Sequence, residues 1–137
     1  MDTNTNYITR IATIDEIIQK WDYEASIHPD NILYPLAKKE FVEETAKGNR
    51  LVYIGLLNNE IICDLTVIIN KEGIGKEAGK IENIITDKRV FLCGIRTNKE
   101  YENKGYFSKL LNYAIEDLKT KGIDELNQAF DELNDNI

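Results

Sequence analysis

The sequence predicts an α+β fold in which helices flank a mainly antiparallel, mixed sheet. Three observations support this prediction: an apolar stripe at helical spacing near the N-terminus, two β-type segments joined by a short turn, and a strand–loop–helix junction in the second half. With 137 residues, of which 42% are hydrophobic and 30% charged, the chain has an ordinary globular composition. We therefore expect a single domain, residues 1–137, that buries a core without a metal or a disulfide.

The N-terminal part predicts one strand and one helix. Tyr7–Ile11 alternates loosely between apolar and polar residues, as a strand does. Thr13 and Glu16 then have the spacing of a capping box, in which the hydroxyl accepts from a backbone N–H and the carboxylate reaches back. Apolar residues follow at helical spacing and form one stripe: Ile14, Ile17, Ile18, Trp21 and Ala25. We expect this helix to end before Pro29, since the residue preceding a proline avoids the helical conformation.

A second helix and a β-hairpin follow. Pro35 suits the first turn of a helix, and Gly48 suits its C-terminal cap. Leu51–Leu57 and Glu60–Ile69 then predict two antiparallel strands joined by a tight turn at Asn58–Asn59, because asparagine tolerates positive φ. Alternation divides the second strand into one face with Ile61, Cys63, Leu65, Val67 and Ile69 and an opposite face with Ile62, Asp64, Thr66 and Ile68.

The second half predicts a loop, a strand and a long helix. Asn70–Lys88 is polar and glycine-rich, but its glycines lack the spacing of a phosphate-binding fingerprint, so we interpret it as a flexible loop. Arg89–Arg96 is a short apolar strand, and Tyr106–Lys121 is a strongly amphipathic helix that Gly122 caps. Ile123–Phe130 has a poor strand pattern and completes the predicted order.

Charge and composition exclude several classes of function. The net charge of −7 repels phosphate backbones, so we expect no nucleic-acid partner. No apolar run approaches the roughly 20 residues of a membrane helix, and the N-terminus lacks a signal-peptide core. We therefore expect a cytoplasmic protein with no membrane partner. Cys63, Cys93 and the single histidine, His28, lack metal-ligand spacing, so we expect no metal site.

The most informative segment is the junction between the fourth predicted strand, Arg89–Arg96, and the long helix. Gly94–Thr97 ends the strand, and a loop leads to Lys104–Ser108, which opens the helix. A helix N-terminus has unpaired N–H groups and a partial positive charge, and it therefore binds phosphate readily. Gly105 would let an anion approach the backbone closely, while Lys104 adds charge and Ser108 a hydroxyl. These residues alone leave two interpretations open: a phosphate site and an ordinary loop–helix junction.

The junction resembles the acyl-CoA loop of the GNAT superfamily. That loop reads Arg/Gln-x-x-Gly-x-Gly/Ala between a strand and a helix, and this chain has Glu102-Asn-Lys-Gly-Tyr-Phe107 in its place. The longer string Ile95–Leu111 is similar to a bacterial branch of the family that carries Gly-Tyr-Phe-Ser-Lys-Leu here. The resemblance implies an acyl-CoA N-acyltransferase-like fold. It also implies transfer of an acetyl group from acetyl-CoA, as co-substrate, to a primary amine on a small molecule or a peptide.

The resemblance also implies roles for particular residues. The strand end would bond the pantetheine arm through its backbone, and the following amides would cradle the diphosphate. These cofactor-binding residues are Ile95, Arg96, Thr97, Asn103, Lys104, Gly105, Tyr106, Phe107 and Ser108. A backbone N–H at Cys93 or in Gly94–Ile95 would meet the oxyanion. The catalytic base is not identified: Asp64 and Glu82 have suitable chemistry, but a surface or loop carboxylate is the stronger interpretation of each.

Two departures from the family pattern keep other functions open. Glu102 replaces the usual Arg or Gln, which should weaken coenzyme binding unless it points away or pairs with Lys104. Only fifteen residues follow Gly122, and none is the tyrosine that often acts as acid in the family. The C-terminal part is therefore expected to be incomplete or completed by a second copy in a homodimer. The alternatives are a non-catalytic acyl-CoA-binding module and a partner-completed subunit.

Several residues have a structural interpretation that outweighs a catalytic one. Cys93 could carry an acyl group, but a cysteine on a buried strand is usually a small hydrophobe. His28 before a proline is better explained as a helix-end residue than as a base. Tyr34 and Tyr53 could line an acceptor pocket, although packing explains them equally well, and we assign Trp21 to the core.

Overall fold

A computed structural model of the chain describes residues 6–70, 85–86 and 88–128. Within these residues the chain forms five strands, three α-helices and one 3₁₀ turn. In chain order they are β1 (Tyr7–Ile11), α1 (Ile14–Ile27), α2 (Tyr34–Ala46), β2 (Arg50–Leu57), β3 (Glu60–Ile68), β4 (Arg89–Thr97), the 3₁₀ turn (Lys99–Tyr101), α3 (Tyr106–Thr120) and β5 (Glu125–Gln128). Every predicted helix and strand is present. Residues 71–84, which include most of the predicted glycine-rich loop, lie outside the described residues.

The strands form one mixed sheet in the order β1-β2-β3-β4-β5. Neighbouring strands run antiparallel from β1 to β4, and β5 alone runs parallel to its neighbour β4. This confirms the predicted α+β class with a mainly antiparallel, mixed sheet flanked by helices. The poorly patterned C-terminal strand exists as β5, and residues 129–137 lie outside the described residues.

The predicted ends of α1 and α2 are confirmed by local geometry. The backbone N–H of Glu16 donates to the Thr13 hydroxyl at 3.2 Å, and the N–H of Thr13 donates to the Glu16 carboxylate at 2.9 Å. Helix α1 ends at Ile27, two residues before Pro29. Pro35 lies in the first turn of α2, and Gly48 follows its C-terminus with φ +82°. Each helix therefore begins and ends where the local sequence predicts.

The β-hairpin corrects one prediction about which side chains share a face. Asn58 and Asn59 have positive φ, as the turn requires. A β-bulge then intervenes: Leu56 pairs with Ile61 and Gly55 with Cys63, which leaves Ile62 without a partner in β2. Because the bulge shifts the alternation by one residue, Ile61 lies on the face opposite Cys63, and Ile62 joins the Cys63 core.

Helices cover both faces of the sheet. On one face α3 packs its apolar side, Leu110, Ala114 and Leu118, onto a core from the strands. On the other face α1 contributes Ile17 to a core with Val52, Ile54 and Leu56. Trp21 packs against this second core from a half-buried position, while Ala25, predicted on the same stripe, is exposed. Strand β4 lies between the two helical layers, and the site described next forms on it.

Candidate functional site

The N-terminus of α3 presents free backbone donors. Gly105 caps the helix with φ +87°, and no atom lies within 4 Å of where a Cβ would be. The first helical bond runs from the Lys109 N–H to the Gly105 carbonyl at 3.2 Å. Among the described residues, no acceptor meets the backbone N–H groups of Gly105, Tyr106, Phe107 and Ser108. These four amides and the helix dipole can therefore bind an anion.

A cavity of about 520 Å³ opens over these amides. Its wall combines the end of β4, the connecting loop and the first turn of α3: Ile95, Arg96, Thr97, Tyr101, Glu102, Asn103, Gly105, Tyr106, Phe107 and Ser108. Eight of the nine residues predicted to bind cofactor thus surround one cavity, while Lys104 is exposed and lies outside its wall. Tyr101 was not predicted, because nothing in the motif requires an aromatic residue in the 3₁₀ turn.

The second half of β4 has an open backbone edge facing this cavity. The parallel strand β5 pairs with Arg89 to Leu92 and no further. On its other side β4 stays paired to β3 as far as Thr97, with a bulge at Cys93 between Leu92 and Gly94. Within the described residues, Gly94–Thr97 therefore has no strand on the β5 side, and its backbone can hydrogen-bond an extended ligand.

A tyrosine from β1 holds the first turn of α3. The Tyr7 hydroxyl donates to the Tyr106 carbonyl at 2.7 Å and lies 3.2 Å from the Cys63 sulfur. Burial, followed by the Cys63 contact, raises the pKa of Tyr7, so the hydroxyl stays a donor. Gly55 makes room for this contact, because a Cβ there would lie 2.3 Å from the Tyr7 hydroxyl. The start of the anion-binding helix is thus fixed by a residue at the other end of the sequence.

A second cavity, of about 180 Å³, lies on the opposite side of β4, beneath α1 and α2. It shares Ile95 and Arg96 with the first cavity. Tyr34 lines this cavity, which agrees with the interpretation of Tyr34 as a pocket residue. Tyr53 does not line it: the ring is fully buried in the α3-side core, and its hydroxyl donates to Asp117 at 2.7 Å.

Four charged side chains meet at this second cavity. Asp64 lies 3.1 Å from the Lys20 ammonium and 3.3 Å from Arg96 Nε, and Arg96 Nε also lies 3.1 Å from Glu24. The interpretation of Asp64 as a surface carboxylate is therefore wrong, since only 2% of the residue is exposed. Two cations offset the cost of burying its charge. An aspartate in the middle of an apolar strand was the only sequence signal, and it did not identify the partners.

The remaining sequence-derived candidates occupy structural positions. His28 is the exposed C-cap of α1, which confirms the helix-end interpretation. Cys93 is half-buried beside Phe91 and Ile68 and forms no disulfide, as the packing interpretation predicts. The described part of the chain contains no group of three His, Cys, Asp or Glu side chains able to hold a metal. Glu82 lies outside the described residues.

No described helix is both long enough and apolar enough to cross a membrane.

Comparison with solved structures identifies proteins of the same fold. An aminoglycoside acetyltransferase from an uncultured soil metagenomic sample, crystallised with trehalose, is 16% identical with a TM-score of 0.69, over 98% of this chain and 84% of that one. A predicted acetyltransferase from Clostridium acetobutylicum, solved with acetyl-CoA, is 14% identical with a TM-score of 0.58, over 91% and 80% of the two chains. An aminoglycoside antibiotic 6′-N-acetyltransferase from Acinetobacter baumannii is 16% identical with a TM-score of 0.64, over 90% and 78%.

Sequence comparison gives the family directly. No curated protein matches the chain in sequence. The family model described as "Acetyltransferase (GNAT) family" matches residues 15–136, which is most of the chain and contains both cavities on β4. The α+β fold agrees with that match. The chain belongs to the GNAT acetyltransferase family.

Proposed function

We propose that the protein is an N-acetyltransferase that moves an acetyl group from acetyl-CoA to a primary amine. The observation that carries this proposal is the cavity in which four free amides of α3 lie beside the open edge of β4. A diphosphate needs donors of this kind, and an extended pantetheine arm needs an unpaired strand edge. The two features occur in one cavity of suitable size for a nucleotide coenzyme.

In this proposal the backbone does most of the coenzyme binding. The N–H groups of Gly105–Ser108 receive the diphosphate, with Gly105 allowing close approach. Lys104 is exposed and adds positive charge without lining the cavity. The backbone of Ile95–Thr97 bonds the pantetheine arm and points the thioester toward the bulge in β4.

The chemical step is direct attack of the amine on the thioester. The amine must first lose its proton to a base or to water. Its nitrogen then bonds to the carbonyl carbon, the carbon–sulfur bond breaks, and the CoA thiolate takes up a proton. A backbone N–H in Gly94–Ile95 stabilises the oxyanion, because the bulge at Cys93 turns the backbone there. Tyr101 and Tyr106 line this cavity, and we assign the supply of the thiolate's proton to one of their hydroxyls.

Amide NMR tests the coenzyme site at the level of single residues. Acetyl-CoA should shift the backbone ¹H–¹⁵N signals of Gly105–Ser108 and of Ile95–Thr97. Acetylpantetheine, which lacks the nucleotide and its diphosphate, should shift only the signals of the strand. Unchanged helix signals at saturating acetyl-CoA would remove the diphosphate from this site and, with it, the proposal.

A thiol-release assay separates a transferase from a binding module. Incubation with acetyl-CoA and a panel of primary amines should release CoA in proportion to acetylated product. Binding without release for every amine would favour a non-catalytic acyl-CoA-binding module. If a second copy completes the fold, the protein must be a dimer in solution. Light scattering that reports a strict monomer would therefore exclude completion by a second copy.

A further inference from the structure

We propose that the cavity beneath α1 and α2 binds the acetyl acceptor, and that this acceptor is a small primary amine that also carries a carboxylate, such as an α-amino acid. The inference rests on the proposed transferase activity and goes beyond it by naming the class of acceptor. Three features of the cavity carry it: its position against β4, the balance of its charges and its aromatic walls.

The position suits an acceptor because the two cavities meet on the same stretch of β4. Ile95 and Arg96 line both of them. Gly94, the residue before them, pairs with Thr66 and lines only the smaller cavity. No atom lies within 4 Å of where a Gly94 Cβ would be, and its φ is outside the left-handed region. The backbone conformation therefore does not require glycine at this position. The missing side chain instead leaves space that a ligand can occupy.

The charges of the cavity balance within it. Asp64 and Glu24 supply two negative charges, and Lys20 and Arg96 supply two positive ones. A ligand with several positive charges gains no net attraction from such a lining, whereas a ligand with one charge of each sign finds a partner for both. The cavity is thus electrostatically matched to an amine that carries its own anionic group.

Two side chains of the cavity can still form hydrogen bonds, one with the carboxylate of that ligand and one with its ammonium. Within the described residues, the Lys20 ammonium has Asp64 as its one ion-pair partner, although it has three hydrogens to donate. It can therefore take a carboxylate. Glu24 contacts Arg96, and a carboxylate has acceptor sites beyond that one contact that suit an ammonium. Arg96 already contacts Glu24, Asp64 and Asn98. We therefore assign it to holding the two carboxylates in place and not to binding the ligand.

The walls and the size restrict the carbon body of the ligand. Trp21 lies with its ring 5.8 Å from Tyr34 and 5.0 Å from Phe41, so three aromatic side chains form an apolar wall. The cavity volume of about 180 Å³ is small beside the 520 Å³ of the coenzyme cavity. It suits an amine of the size of one amino acid better than a multi-ring aminosugar.

Steady-state kinetics on matched acceptors test the proposal. The panel contains the common α-amino acids, the amine obtained from each by removal of the carboxylate, and the aminoglycoside sisomicin. The best amino acid should exceed its decarboxylated counterpart in kcat/KM by about tenfold or more, since a site built for a group rejects an analogue that lacks it. K20M should abolish that preference and leave acetyl-CoA affinity unchanged. K38M is the control, because Lys38 is a partly exposed, ion-pairing lysine of α2 that lies outside the cavity.

G94V provides a second variant that removes no charge. Its side chain should fill the cavity and raise KM for every acceptor. Equal or better acetylation of decarboxylated amines or sisomicin overturns the inference, as does a preference that survives K20M. Acetyl-CoA binding with neither acetylation nor calorimetric binding of any amino acid also overturns it. Absence of acetyl-CoA binding instead contradicts the proposed function.

Discussion

The two sides of β4 are built in different ways. On the α3 side, the cavity depends on backbone groups of one short segment, from the end of β4 to the first turn of the helix. On the α1 side, the cavity depends on side chains from α1, α2, β3 and β4, which are far apart in sequence. The wall of the first cavity comes from a strand, a turn and a helix in succession, whereas the wall of the second comes from four elements packed together.

This difference predicts two kinds of sensitivity. The backbone-built cavity should tolerate most side-chain changes and respond strongly to backbone strain or added negative charge at the helix N-terminus. The side-chain-built cavity should respond to loss of individual charged groups, because these groups are ion-pair partners of one another. The following predictions test the difference in order of decreasing expected effect.

G105D should produce the largest effect. An aspartate at φ +87° is strained, and its carboxylate competes with the diphosphate for the amides. We expect acetyl-CoA affinity to fall by about 100-fold or more, as measured by calorimetry. G122D is the matched control, since Gly122 follows the other end of α3 with φ +84° and open space around it. If the two variants lose affinity equally, strain rather than the anion site explains the loss.

Y7F should weaken acetyl-CoA binding, although Tyr7 does not line the coenzyme cavity. Loss of the hydroxyl removes the hydrogen bond to the Tyr106 carbonyl and frees the first turn of α3. We expect acetyl-CoA affinity to fall by about threefold to tenfold and the free energy of unfolding by about 1 kcal/mol. Y113F is the control, because no described residue hydrogen-bonds the hydroxyl of that half-buried tyrosine. A Y7F protein that is less stable yet binds acetyl-CoA normally would limit Tyr7 to a role in folding.

E102R should strengthen coenzyme binding. Glu102 lines the coenzyme cavity, and within the described residues it forms no ion pair, with Lys104 or any other residue. Because the side chain is exposed, we expect a gain of about threefold in affinity at low salt that decreases at high salt. E100R tests whether any added cation suffices, since Glu100 lies in the neighbouring 3₁₀ turn outside the cavity wall. Equal gains from both would show general attraction rather than a local contact.

E16Q should give the smallest effect, a small loss in the free energy of unfolding. The change lies at the start of α1. Hydrogen bonds from Arg10, one of 2.7 Å, hold the pKa of Glu16 at about 2, below its ordinary value of 4.5. Because the folded-state pKa is depressed, this stabilisation is present above about pH 4.5 and is lost as pH falls toward 2. Glutamine preserves the capping box, so E16Q should cost about 0.5 kcal/mol at pH 7.

Urea denaturation at several pH values measures that difference. The wild type and E16Q should converge in stability as the pH approaches 2. E116Q removes an exposed ion pair on α3 and should change nothing measurable at either pH. A difference that persists unchanged at pH 2 would assign the effect of E16Q to packing instead of charge.

Local signals explain why so much of the fold follows from the sequence. The Thr13–Glu16 capping box, the Asn58–Asn59 turn and the glycines after α2 and α3 each act over a few residues. They place the ends of elements correctly without knowledge of the rest of the chain. The face assignment at Ile61 failed because a bulge depends on how two strands pair, and alternation within one strand does not contain that information.

The order of the elements and the segment that presents free amides follow from contacts between near neighbours in the chain, so both could be predicted from the sequence. The burial of Asp64 between Lys20 and Arg96, and the hydrogen bond from Tyr7 to the start of α3, became visible only in the folded structure. These contacts join residues from separate elements, and their existence depends on the packing of helices onto the sheet. A free helix terminus is a property of one segment, whereas a balanced charge cluster is a property of the assembled fold.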